Sequence, residues 1–202
     1  MNITIRKETA NDYREAEEVT RKAFWNLYMP GCEEHYLVHK LREADEYLPE
    51  LSYVAIADGK IVGAIYYATS YILDSNNNKT AVLTFGPVSV LPEYQRKNVG
   101  KTLVTETMKL AQELNYKAIV ICGVPAYYPK FGFLSCQTFG ITMPNGATFP
   151  AFMAIEFEKG YLQAGKFFEP AIYHTLPRPE VEEYDRLFPE MEKLVLPGQW
   201  KK

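Results

Sequence analysis

Apolar positions along the chain switch between a period of two and a helical period. Ile3-Thr4-Ile5-Arg6 alternates and predicts a short strand. Thr9 to Asp12 supplies several helix N-caps, after which Tyr13, Ala16, Val19, Ala23 and Phe24 recur at helical spacing. Pro30-Gly31 is expected to close that helix, and a second is predicted over Glu33 to Ala44, with Leu37, Val38 and Leu41 facing inward. Ser52 to Ala57 and Ile61 to Tyr71 predict strands joined across the hairpin signal Asp58-Gly59. Asp74 to Asn78 reads as a polar loop, and Ala81 to Val90 as a strand that feeds a helix over Lys101 to Leu114. Ala118 to Cys122 is an unbroken apolar run, suited to a strand buried on both faces beside the preceding one. Phe152 to Phe157 is the last strong strand candidate. Beyond it, prolines and aromatics (Phe167, Phe168, Tyr173, Tyr184, Trp200) dominate, with a short helix near Glu180 to Leu187. The alternation predicts an α/β fold. Residues 158–202 are too short to sustain a core and read as an extension packed on a domain of residues 1–157.

Composition narrows the class. The 202 residues are 47% hydrophobic and 23% charged, which suits a folded globular chain, and the net charge of −3 gives no basis for a nucleic-acid or anionic-membrane surface. No apolar run approaches the roughly 18 residues of a membrane span, and the N-terminus lacks the apolar core of a signal peptide, so a cytoplasmic protein is expected. Cys32, Cys122 and Cys136 have no metal-ligand spacing; Cys122, within an apolar strand, is expected to be buried. His35 and His39 share a helix face but lack a third ligand, so no metal site is predicted.

The strongest chemical signal is Pro92-Glu93-Tyr94-Gln95-Arg96-Lys97-Asn98-Val99-Gly100-Lys101-Thr102-Leu103. A strand turning into a helix presents unpaired N–H groups at the positive end of the helix dipole, where a pyrophosphate binds, and Arg96 and Lys97 stand at the same mouth. Gly100-Lys101-Thr102 invites a nucleotide-hydrolysing P-loop reading. That motif needs a glycine where Gln95 stands, and an acid for Mg²⁺ that Ala118 to Gly123 does not offer, so it is rejected.

Gln95-Arg96-Lys97-Asn98-Val99-Gly100 instead resembles the Gln/Arg-x-x-Gly-x-Gly/Ala signature of the GCN5-related N-acetyltransferase (GNAT) superfamily. Asn98 replaces the first glycine, and asparagine enters the left-handed region more readily than most residues. A second motif follows in order: Tyr127-Tyr128-Pro129-Lys130-Phe131-Gly132-Phe133 resembles the family's aromatic-Tyr-x-Lys-x-Gly-Phe segment, with Tyr128 lying 28 residues beyond Gly100. The run from Phe85 to Phe133 is similar to the YhbS-like branch of bacterial acetyltransferases, whose Gly-Asp-Pro-Ala-Tyr-Tyr corresponds to Gly123-Val124-Pro125-Ala126-Tyr127-Tyr128 here.

The resemblance implies a twisted mixed sheet of six to seven strands flanked by helices, splayed at its central parallel strands. It implies acetyl-coenzyme A as donor and direct attack by a primary amine, on a small molecule or an exposed amino group, in a ternary complex. The loop residues Gln95, Arg96, Lys97, Asn98, Val99, Gly100, Lys101 and Thr102 would grip the pyrophosphate. Main-chain groups of Val88, Ser89 and Val90 would pair with the pantetheine arm, where Pro87 marks a bulge or unpaired edge. Tyr128 would stand by the thioester sulfur. A tyrosine pKa of about 10 against about 8.5 for a thiol makes full proton transfer uphill by roughly 2 kcal/mol, so a hydrogen bond that strengthens as charge builds is expected. The base that deprotonates the amine stays open among Glu33, Glu34 and His35, with a solvated acidic first turn the simpler account of Glu33 and Glu34. A non-catalytic acyl-CoA-binding module is the alternative. The aromatic stretch Phe167 to Tyr173 has two open roles, a wall of the acceptor cavity or a homodimer contact.

Overall fold

The computed structural model describes residues 2–199. In chain order it contains β1 (Thr4–Lys7), α1 (Tyr13–Phe24), α2 (Glu34–Leu41), β2 (Tyr53–Ala57), β3 (Lys60–Leu73), β4 (Lys79–Val90), α3 (Val99–Glu113), β5 (Ala118–Cys122), β6 (Leu134–Ser135), β7 (Ile141–Thr142), β8 (Phe152–Glu156), β9 (Gly165–Phe168) and α4 (Arg178–Asp185). Hydrogen-bonded neighbours run β1-β2-β3-β4-β5-β8-β6, and β9 pairs with both β3 and β7. The sheet is mixed: β4 runs parallel to β5, at Leu83↔Ile119, and β7 runs parallel to β9. Nine strands among the described residues exceed the expected six to seven, because β6 and β7 are two residues each, too short to show a period. β9 was also missed; Gly165 opens it where β3 crosses closely, and a Cβ there would lie 2.5 Å from the Leu73 carbonyl oxygen.

The chain divides into two units. The first comprises the described parts of Met1–Tyr66, Pro87–Val104 and Ala171–Lys202. Its β2–β3 hairpin turns on Asp58 and Gly59, both at positive φ (52° and 76°), the combination that matches strand twist. α1 buries Ala16, Val19 and Thr20, and α2 buries Leu37, Val38 and Leu41. Both helices are shorter than the sequence suggests. α1 stops at Phe24 because Asn26 takes positive φ (58°), well before Pro30. After Leu41 the chain tightens into i→i+3 bonds, Glu43 N–H to Lys40 O and Ala44 N–H to Leu41 O. Arg42 fills the space beneath: its guanidinium donates to both Glu8 oxygens (2.7 and 3.1 Å) and to Glu17 (2.5 Å), all three side chains being buried. Tyr66 and Tyr184 hydroxyls donate to the same two carboxylates, at 2.9 and 2.7 Å. Such a cluster is tolerable only when its charges find partners.

The second unit comprises Tyr67–Gly86 and Thr105–Pro170. Its core gathers Ile72, Val82, Ala118, Val120, Phe152, Ala154 and Phe167 from neighbouring strands. Phe167 is fully buried there, which removes it as a cavity wall or dimer contact, while Phe168 stacks on Tyr71 at 5.1 Å. Cys122 corrects an expectation: as the last residue of β5 it is exposed, and Cys32 and Cys136 are the buried thiols. Trp200 lies outside the described residues. Among the described residues no helix is long and apolar enough to cross a membrane, and no group of three or more potential ligands could hold a metal ion.

Candidate active site

β4 ends at Val90, and the chain makes one short turn over Pro92–Tyr94 before α3 begins at Val99, two residues earlier than predicted. Between them φ turns positive twice, to 60° at Arg96 and 66° at Asn98, with Lys97 on the ordinary side. Alternation of this kind turns successive N–H groups toward one concave face. Among the described residues nothing accepts the N–H of Arg96, Lys97, Asn98, Val99, Gly100 or Lys101. The run ends at Thr102, whose N–H donates to Asn98 O at 2.8 Å. Asn98 therefore does the turning expected of a glycine. A positive φ at arginine was not legible, since nothing in the sequence distinguishes Arg96 from Lys97 as the residue that bears it.

Side chains brace the loop from behind. Gln95 Nε2 donates to Val90 O at 3.3 Å, and Lys97 Nζ lies 5.2 Å from the centre of the Tyr94 ring. Arg96, Lys97 and Lys101 are exposed. Ser89 is fully buried, its hydroxyl 3.0 Å from that of Thr20 on α1, so only its main chain remains for a ligand; Val88 and Val90 are half-buried. One residue that sequence reasoning missed is Gly63 on β3. A Cβ there would come within 2.8 Å of Ser89 O, 2.9 Å of Val99 Cγ1 and 3.2 Å of Leu103 Cδ1. The absence of a side chain at Gly63 lets the first turn of α3 settle against the strands.

In the second unit Tyr128 opens a single helical turn, Tyr128–Phe131, closed by Gly132 at φ 95°. Its ring is buried among Phe85 (5.8 Å between centres), Phe133 (5.7 Å) and Tyr127 (5.2 Å). It also lies close against Gly123, where a Cβ would stand 2.2 Å from Tyr128 Cε2. Gly123 was legible only as part of a motif; its physical role is to leave room for this ring. Phe133 is core, and Tyr127 is half-buried.

The three residues considered for the base part company. His35 is wholly buried, with Nδ1 3.4 Å from Cys32 Sγ and Nε2 3.3 Å from Asp185 Oδ1, though misdirected for a hydrogen bond. Burial pushes its imidazole down to about 4, so it is neutral at pH 7. Glu33 is half-buried beside α4, lining a small hollow with Arg178, Glu182 and Asp185. Glu34 departs from the expected solvated first turn: it is half-buried, its Oε2 accepts the Glu33 N–H at 3.1 Å, and burial pushes its carboxyl up to about 7.

Residues 21–133 match the Acetyltransferase (GNAT) family. The uncharacterized N-acetyltransferase YjhQ of Escherichia coli K12 is 30% identical over 130 residues, covering 64% of this chain and 67% of YjhQ. The uncharacterized N-acetyltransferase YhbS of the same strain is 33% identical over 132 residues, covering 65% of this chain and 73% of YhbS. Among solved structures, a GNAT family acetyltransferase from Brucella melitensis in complex with acetyl-CoA superposes with a TM-score of 0.69 at 27% identity, over 85% of this chain and 98% of that one. Escherichia coli YhbS in complex with CoA gives 0.74 at 23% identity, over 87% and 93%, which bears on the fold alone. With the family match spanning more than half of its length, and an amide-lined turn where that family's signature falls, this chain belongs to the acetyltransferase (GNAT) family.

Proposed function

We propose that the protein transfers the acetyl group of acetyl-coenzyme A to a primary amine, on a small molecule or an exposed amino group, by direct attack in a ternary complex. The observation that carries this reading is the run of six partnerless amides from Arg96 to Lys101 at the start of α3. It is supported by the Brucella neighbour, which was crystallised with acetyl-CoA. The pyrophosphate would lie in the concave face of that turn, with Arg96 and Lys97 adding charge and the Thr102 hydroxyl at its rim. Main-chain groups of Val88, Ser89 and Val90 would hold the pantetheine arm, and an N–H near Val88 would stabilise the oxyanion.

The amine must attack neutral. Of the three residues open for the base, Glu34 would take the ammonium proton: it is half-buried in the first turn of α2, its Oε2 on the Glu33 N–H at 3.1 Å, and burial holds its carboxyl up near 7. Tyr128 would donate its hydroxyl hydrogen bond to the departing thiolate as charge builds on sulfur. Residues 158–202 would serve as an extension of the catalytic domain, and the reaction would run in the cytoplasm.

Release of free thiol from acetyl-CoA, followed across a panel of primary amines, tests the proposal. Amine-dependent release is expected, with Tyr128→Phe lowering turnover more than it lowers affinity for CoA. CoA binding without release on any amine would leave an acyl-CoA-binding module; an unchanged turnover number in Tyr128→Phe would make that ring structural.

A further inference from the structure

The chain beyond α4 is held to the first unit in an unusual way. Side chains of α1 and the residues after it grip its main chain: Arg14 donates to Leu187 O, Arg21 Nη1 to Pro189 O at 3.0 Å, and Trp25 Nε1 to Glu192 O at 2.8 Å. Phe188 is the buried anchor. Past it, the apolar side chains face solvent, Val195 at 85% exposure with Leu194 and Leu196 also exposed, so apolar burial is not what fixes residues 192–199.

Polar bonds fix them, and they meet at Asn26. Its N–H donates to Gly31 O at 2.8 Å, and its Oδ1 accepts the N–H of Gly31 at 2.8 Å and of Leu194 at 3.1 Å. Its Nδ2 donates to Glu192 O at 2.9 Å, and its carbonyl accepts from Gln199 Nε2 at 2.8 Å. One residue thus closes the loop 26–31 on itself and ties the tail to it, from the left-handed conformation that asparagine tolerates. The tail in turn packs on the loop, since a Cβ at Gly31 would stand 3.2 Å from Lys193 Cε. The loop leads directly into Cys32, whose Sγ rests on Arg21 O at 3.6 Å, and then into the first turn of α2.

We infer that Asn26 is a positioning residue, which locks the loop 26–31 and the tail 192–199 into one cooperative unit and thereby fixes the turn that carries Glu34. Only the use of Glu34 as proton acceptor rests on the acetyltransferase reading; the coupling does not. Cutting the knot would free both segments together and, through the loop's run into Cys32 and α2, loosen the turn in which Glu34 is half-buried.

Asn26→Gly tests this, because glycine keeps the backbone free to hold its φ while removing three side-chain bonds. Hydrogen exchange on the full chain should show residues 26–33 and 192–199 losing protection together, by about tenfold or more. The carboxyl titration of Glu34, followed by carbon NMR, should fall toward the ordinary carboxylate range. A global loss of stability alone would not move that titration while the chain stays folded. Loss of protection in one segment only, or an unmoved titration, overturns the inference. Gln199→Ala, which removes the bond to Asn26 O together with two bonds inside the tail, to Leu194 O and from the Leu196 N–H, should weaken residues 26–33 as well as the tail, and serves if the glycine variant fails to fold. Affinity for CoA should stay unchanged in both variants. A wild-type chain that binds no CoA would instead overturn the acetyltransferase reading and leave the coupling standing.

Discussion

Asn98 carries more of the site than its exposed position suggests. It holds φ at 66°, and its carbonyl accepts the first bond of α3, so the turn and the helix start depend on one residue. Asn98→Gly should preserve affinity for CoA, because glycine reaches the same conformation without strain. Asn98→Val should cost about 1–2 kcal/mol of backbone strain, which is roughly tenfold in affinity if the bound loop must keep this shape. Calorimetry on the two variants decides; equal affinity in both would mean the turn is not the binding element. At Glu34 the expectation concerns pH. Its ionised fraction grows as pH rises through about 7, so turnover should rise with it, and Glu34→Gln should abolish that limb and lower the rate by about 10²-fold or more. The same group affects stability. A carboxyl raised above its unfolded value stabilises the fold below the unfolded pKa, and that contribution is lost as pH rises through about 7. His35 acts in the opposite sense: its depressed pKa gives stability that is present above the unfolded value near 6.5 and lost as pH falls toward about 4. Glu34→Gln should therefore steepen the loss of stability on acidification from 6.5 to 4, measured by urea unfolding.

At the scale of elements, the site depends on how closely α3 approaches β3 and β4. Gly63 permits that approach, and Gly63→Ala would drive a methyl into Ser89 O and Val99. Since backbone cannot yield cheaply, a cost of about 1–3 kcal/mol is expected, with weaker CoA binding as the first turn of α3 shifts. A variant of wild-type stability and affinity would show that the contact is slack. Gly63 also marks where legibility ended. Apolar patterns long enough to recognise match β2, β3, β4, β5 and β8 to within two or three residues. The two-residue strands β6 and β7 had no period to detect, and β9 shows a single inward Phe167. The amide-lined turn was legible because strand, turn and helix signals fall in one run; Gly63 and Asn26 were not, because their roles lie in neighbours distant in sequence, and Gly123 was legible only as a motif position. Cys122 was misplaced because an apolar run says nothing about which of its ends is covered.

For the molecule as a whole, β3 and β4 each contribute to both units, and the described C-terminal residues do as well, β9 to the second and Ala171 onward to the first. The net charge is −3, and against it Arg96, Lys97 and Lys101 place three exposed basic side chains on one turn. Membership of the GNAT family follows from the match over residues 21–133, and the acceptor amine is the part of the chemistry that turnover on an amine panel will identify. Every step of that chemistry presupposes a gripped donor. The most direct measurement is calorimetric titration of coenzyme A into the wild-type chain and into Gly100→Glu, whose carboxylate would stand among the phosphates at the second residue of α3. Saturable one-site binding that disappears in the folded variant is the predicted result; equal binding by both chains, or none by the wild type, would contradict the account.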